Sequence, residues 1–287
     1  MIIEIPKSAG KTDVLQLADL PKIDYSVDKT LSERRAIYGF EQDNFKYEFV
    51  LSQKAEPTDR IFVLFSGDAM RSKYDPPVFQ RWSWADKFPG HCIYISDPTL
   101  HLSKHMGLAW YSGTAKHEPM QVISTLVREI ADKLGVDPSK VVSYGSSGGG
   151  FAALRFTSFF PEAGAVAVNP QTDITKYEYK SVERYLKVCL KLEERQPALE
   201  KYPEKLSLLE LSEKLGQARI VYIQNRMDEH HYIQHFLPFV QKMGLSEDAA
   251  YANDRFTTIL FEHEGGHTKA ETSEVFTKAM SVVTTWD

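Results

Sequence analysis

The residues with the clearest chemical potential lie in Gly145-Ser146-Ser147-Gly148-Gly149, where an apolar run ends and a small-residue segment begins. The pattern Gly-x-Ser-x-Gly suits a serine placed on a sharp strand-to-helix turn, where side chains at −2 and +2 would clash with the strand and the helix. Ser147 has glycine at both positions and Ser146 does not, which makes Ser147 the candidate nucleophile. A helix starting there would aim its free N–H groups and positive dipole end at an oxyanion on a substrate. A serine hydroxyl is a weak nucleophile near pH 7, so it needs a base, and the base needs a carboxylate to fix its tautomer. Asp228 in Met227-Asp228-Glu229-His230-His231 and His267 in His263-Glu264-Gly265-Gly266-His267 supply those groups.

Each of these residues also has another reading. The glycines fit a plain turn, and Gly148-Gly149-Gly150-Phe151-Ala152-Ala153 fits a degenerate dinucleotide loop. That loop wants an acidic residue closing the next strand, where Asn169 stands. Asp228 could be an ordinary helix N-cap. Asp173, after the preceding strand, is the rival acid, and His267 could be a surface histidine. His230, His231 and His235 are expected to line or flank a pocket, with Ser146 and His231 named as pocket residues; His231 and His235 alone make a weak metal case. His263 to His267 also matches H-E-x-x-H, a zinc signature that works only on a helix, and two adjacent glycines would each cost that helix about 1 kcal/mol. No metal is expected there, nor at His101, His105 and His117, which are placed in a loop near the site's mouth.

The elements that must position these groups alternate. Residues 1–30 show no periodicity and are expected to wrap the surface. Ala36 to Tyr38 suggests a strand, and Phe45, Tyr47, Phe49 and Leu51 alternate with polar residues, as in a half-buried antiparallel edge strand. Ile61 to Phe65, His91 to Ile95 and Ala165 to Val168 read as buried strands, and Val141 to Tyr144, Ile220 to Ile223 and Phe256 to Phe261 as further strands. Helical spacing runs from Val122 to Leu134, after the elbow, up to about Gly244, and from about Lys269 to Val283. Residues 174–216, after the sixth expected strand, have helical spacing and high charge, which suggests an insertion and a lid. Trp82, Trp84 and Phe88 read as packing residues.

The bulk properties fit one unit over 1–287, an α/β domain with a mainly parallel sheet flanked by helices. A hydrophobic fraction of 43% supports a packed core, and a formal charge of −5 with no basic stripe argues against nucleic acid. The opening MIIEIPKSAGKTDV lacks the pattern of a secretory signal, and no apolar run approaches the ~20 residues of a membrane span. Cys92 and Cys189 look like buried thiols. The expectation is a cytoplasmic protein with no transmembrane segment.

In an open α/β sheet, loops at the carboxyl ends of strands meet, so Ser147, Asp228 and His267 can converge. Their order, each just past a strand, resembles the α/β-hydrolase superfamily over roughly residues 35–285, through YGSSGGG, MDEHHY and GGH. That resemblance implies the α/β-hydrolase fold, attack by Ser147 on an acyl carbonyl, proton transfer by His267 and orientation by Asp228. It implies an oxyanion hole from the Gly148 N–H and one from Gly67 or Asp68. Within the superfamily, the SGD turn, ISDP, GSSGGG, VNPQTDITKY, D-x-x-H and EGGH look like bacterial glycan and capsule O-acetyltransferases and their accessory-secretion relatives. The expected activity is cofactor-independent hydrolysis of a small-molecule or carbohydrate ester through an acyl-serine. The alternative is O-acetyl transfer to a glycan, from a donor such as acetyl-CoA. A zinc hydrolase and a non-catalytic accessory or binding protein remain as readings from other classes.

Overall fold

The structure, a computed structural model, describes residues 17–27, 29–248 and 252–286. Among the described residues nine strands form one sheet: β1 (Lys22–Asp24), β2 (Arg35–Gln42), β3 (Phe45–Ser52), β4 (Ile61–Phe65), β5 (His91–Ile95), β6 (Val141–Ser146), β7 (Gly164–Val168), β8 (Ile220–Asn225) and β9 (Phe256–Phe261). Their order is β1-β2-β3-β5-β4-β6-β7-β8-β9. β3 runs antiparallel to both β2 and β5, and the other pairs are parallel.

Alternate residues explain the continuous apolar runs. Ile61, Val63 and Phe65 of β4 join one core with Ile93, Ile95, Ile123 and Val127, while Phe62 and Leu64 join another with Tyr94, Val142 and Val283. A strand covered on both faces has no side left for polar residues. One cover is α1 (Pro119–Leu134), begun by the Glu118 N-cap and stopped by Gly135 at φ 67°. Another is the wholly buried α2 (Gly148–Phe156). The helix Ser273–Val283 covers the opposite face.

Two local expectations change. A short edge strand, β1, lies within the segment expected to wrap the surface, pairing parallel with β2; residues 1–16 of that segment lie outside the described residues. β3 is not a half-buried edge, because β2 and β5 flank it and only Lys46 along it is exposed. Glu48 is buried there, its Oε1 accepting from Lys46 Nζ at 2.7 Å and its Oε2 lying 3.1 Å from His101 Nε2. Charge pairing thus lets a carboxylate occupy a covered face.

Residues 174–216 are a chain of short helices whose Val182, Tyr185, Leu186, Leu206, Leu208 and Leu215 share a core with Phe151 and Tyr222. Glu118 fastens this segment down. Its carboxylate takes a bidentate pair from Arg155 on α2, at 2.9 and 2.7 Å, and a bond from Lys205 at 2.8 Å. Burial works against the charged carboxylate, but Arg155 and then Lys205 outweigh it and hold Glu118 below its ordinary range.

Candidate active site

β6 delivers the elbow. Ser147 sits between β6 and α2 at φ 55° and ψ −123°, a backbone conformation that an L-residue adopts only when its surroundings enforce it. The flanking glycines are obligatory by contact. A Cβ on Gly145 would lie 2.2 Å from the Gly149 carbonyl oxygen, and one on Gly149 would lie 2.4 Å from the Phe65 oxygen of β4. Such packing lets α2 start directly against the strand.

The two serines of the elbow have different partners. Ser146 Oγ accepts from Arg81 Nη2 at 2.5 Å. Arg81 also makes a bidentate pair with Glu271, and Tyr144 donates to the same carboxylate at 2.8 Å. Ser146, expected in the pocket, is therefore a member of a buried ion-pair network. Ser147 Oγ instead accepts from Gln171 Nε2 at 3.0 Å.

β8 delivers the acid. Asp228 follows the strand and is buried, with its Oδ2 accepting from His267 Nδ1 and from Asn169 Nδ2, both at 2.6 Å. Its Oδ1 pairs with His231 Nδ1 at 3.0 Å and accepts from the His231 backbone N–H at 3.4 Å. Asp228 is thus both a helix N-cap and a partner of two histidines. Burial alone would raise its pKa; the bonds from His231 and His267 outweigh burial and hold it well below the carboxylate range. An ionised carboxylate on Nδ1 puts the imidazole proton there and leaves the Nε2 lone pair of His267 available.

The other expected groups fall elsewhere. Asp173 accepts from Thr175 N and Oγ1 at 2.8 and 2.6 Å, capping the turn 174–176. His101 and His117 rest against Glu48 and Tyr47 of β3. His263 and His267 are not on one α-helix: His263 Nδ1 accepts from Gly265 N, and a 3-10 turn spans Gly266–Lys269. Among the described residues, Asp228, His231 and His267 are the group whose ligand atoms lie within 4.8 Å of one another. Each of those histidines already spends Nδ1 on an Asp228 oxygen.

On the other side of Ser147 lies the turn after β4. Gly67 N–H donates to Gln80 Oε1 at 2.9 Å, and Gln80 Nε2 donates to the Asp68 carbonyl at 2.8 Å. Gly67, expected as one choice of oxyanion donor, therefore has its N–H taken by a side chain. No protein group among the described residues accepts from the N–H of Gly148 or of Asp68.

The sequence profile of the prolyl oligopeptidase family matches residues 95–284, a span that holds the elbow, Asp228 and His267. The chain belongs to that family. No curated protein sequence matches it significantly. Among solved structures it is similar to a mutant capsule O-acetyltransferase of Neisseria meningitidis serogroup A in complex with CoA, with 11% identity, TM-score 0.61, and 93% and 100% of the two chains covered. It is also similar to 2,6-dihydroxy-pseudo-oxynicotine hydrolase, with 11% identity, TM-score 0.62 and 88% and 68% covered. A third similarity is to acetyl xylan esterase 1 from Thermoanaerobacterium, with 12% identity, TM-score 0.58 and 89% and 84% covered. The fold is the α/β-hydrolase fold, and the prolyl oligopeptidase-family chain is an enzyme of the serine hydrolase kind.

Several residues around the prolyl oligopeptidase-family elbow escaped sequence reasoning. Asn169 and Gln171, both fully buried, were visible only as polar residues closing a buried strand, within the VNPQTDITKY segment. Tyr177 sets its ring edge-on to Trp110, centroids 6.2 Å apart; burial, then Glu178 and Asp68, push its pKa up to about 12. Beside the turn after β4 opens a cavity of about 470 Å³, walled by Arg71, Lys73, Arg184, His105, Asp68 and Leu108. Leu108 lies against Gly148, where a Cβ would meet it at 2.5 Å, so the cavity adjoins the start of α2.

Proposed function

We propose that this enzyme hydrolyses acyl esters through a covalent acyl-serine, with Ser147 as nucleophile, His267 as base and Asp228 as the residue that orients it. Ser147 Oγ attacks the acyl carbonyl while its proton passes to His267 Nε2. The carbonyl oxygen gathers negative charge beside the Gly148 and Asp68 N–H groups, a kind of stabilisation worth roughly 10²–10³ in rate per donor. His267 then gives the proton to the leaving group, and water, activated by the same imidazole, releases the acid. The 2.6 Å bond from His267 Nδ1 to Asp228 Oδ2, together with a serine held at positive φ, carries the reading. No cofactor enters these steps.

A second reading, O-acetyl transfer to a carbohydrate hydroxyl, is favoured by the cavity with Arg71, Lys73 and Arg184, which suits a phosphate-bearing donor such as acetyl-CoA. Hydrolysis and transfer share the acyl-serine and differ in whether water or a sugar hydroxyl resolves it. Residues 174–216 would then be a fixed helical wall of a single domain, since their apolar faces are buried in its core. No helix of the described residues is long and apolar enough to cross a membrane. Two buried, unpaired cysteines support a reducing, cytoplasmic setting.

The test is intact mass after treatment with a fluorophosphonate, for the parent and for Ser147→Ala and His267→Ala. A single adduct on Ser147 that vanishes in both variants supports the reading and leads to ester turnover with and without sugar acceptors. A folded parent that takes no label overturns it.

A further inference from the structure

We infer that Gln171 is a positioning residue for the nucleophile, clamped by Trp110 so that its amide N–H, and not its oxygen, faces Ser147; the inference rests on the acyl-serine reading above. Gln171 is fully buried, and its Oε1 accepts from the buried Trp110 Nε1 at 2.5 Å. That bond fixes which end of the amide is which, because an indole N–H can only donate. The remaining end, Nε2, donates to Ser147 Oγ at 3.0 Å. The backbone reinforces the pairing, with Gln171 N–H donating to the Ser147 carbonyl at 3.2 Å.

Trp110 itself is held in an expensive conformation. Trp110 and Tyr111 have φ of 54° and 55°, in the left-handed region, and the pair is pinned where Tyr111 N–H donates to the buried Asp97 Oδ2 at 2.7 Å. Consecutive bulky residues in that region are kept only where the surroundings enforce them, and such strain gathers at functional sites. Here the strained turn ends in the one indole that orients Gln171.

The consequence is chemical. A hydroxyl oxygen that accepts from an amide cannot use that amide as an acceptor for its own proton, so the Ser147 O–H is left to point elsewhere, toward a base. As the proton moves to His267 Nε2 ahead of full Oγ–carbon bonding, negative charge builds on Oγ and the Gln171 N–H strengthens against it; the charge passes to the carbonyl oxygen as the bond completes. In the finished ester Oγ is a poorer acceptor, so the bond favours the path to the acyl-enzyme over the acyl-enzyme itself.

Gln171→Leu, Gln171→Glu and Trp110→Phe are compared with the parent by the second-order rate of fluorophosphonate labelling across pH. Gln171→Leu is expected to label roughly 10- to 100-fold more slowly, the scale on which misplaced reacting groups lose rate. Trp110→Phe, which frees the amide to turn over, falls between it and the parent. Gln171→Glu, able to donate only when protonated, shows a ratio to the parent that rises as pH falls; the ratio cancels the titration both proteins share, and a merely structural role would leave it flat. Labelling of Gln171→Leu within twofold of the parent, or a flat ratio, overturns the inference. The Gln171 side-chain amide resonance supplies a readout independent of activity. If the parent takes no label yet Ser147→Ala shifts that resonance, the acyl-serine reading fails and the clamp stands; an unmoved resonance overturns the clamp.

Discussion

The imidazole of His231 lies stacked against that of His267, ring centroids 4.2 Å apart and planes 17° from parallel, with Asp228 bonded to both. Burial lowers the pKa of His231, against the pull of Asp228, which favours its neutral form beside His267. Asp228→Asn should replace that shared carboxylate by an amide that cannot fix both rings, and ester turnover should drop about 10⁴-fold in kcat, the loss typical of a wrong tautomer. Steady-state kinetics on a folded variant checks this; a loss under tenfold would remove Asp228 from the mechanism.

Gly149→Ala should separate helix from strand. The added methyl would stand 2.4 Å from the Phe65 oxygen, a rigid backbone atom, so α2 must shift away from β4. We expect a stability loss of roughly 1–3 kcal/mol, the range for overpacked cores. Urea unfolding reads it, together with reduced fluorophosphonate labelling as Ser147 moves.

Arg81 and Glu271 are a second test of the elbow's support. Their side chains are 8% and 16% exposed, and Nη1 of Arg81 is buried with no hydrogen-bond partner among the described residues. Glu271→Leu would strand the guanidinium, and a buried charge that loses its partner typically costs about 3–5 kcal/mol. Arg81→Met with Glu271→Leu should recover much of that loss, as a double-mutant cycle in denaturant would show.

Acid should weaken the fold through His235. Burial, then His231 and His230, push its pKa down to about 2, against about 6.5 in an unfolded chain. Below pH 6.5 the unfolded chain takes up a proton that the folded one refuses, so the stability this residue contributes is full above that pH and declines as pH falls toward 2. The slope is up to about 1.4 kcal/mol per pH unit. His235→Gln should flatten the stability curve between pH 6.5 and 4 by close to one proton; equal slopes in calorimetry would count against a buried neutral imidazole.

The parallel strands were legible because burial on both faces leaves an uninterrupted apolar run, as in Ile61 to Phe65. The meeting of Asp228 with His267 was legible because both follow strands whose ends share one side of the sheet. β1 was not, since three residues carry too little period to detect. β3 misled because Glu48 reads as solvent-facing until His101, far along the chain, is brought against it. Gln171 and Gln80 were missed for the same reason, their roles being set by which loops touch and not by local spacing. Gly67 shows the converse: the turn was recognised, yet its N–H serves Gln80.

Burial pushes the thiols of Cys92 and Cys189, the chain's only two cysteines, up to about 12. At neutral pH neither presents a thiolate, the form that reacts with alkylating reagents. The native protein is therefore a silent background for single-site labelling. A cysteine placed at exposed Tyr179, on the insertion, would carry a fluorophore alone, and its anisotropy would report directly how still that wall stands.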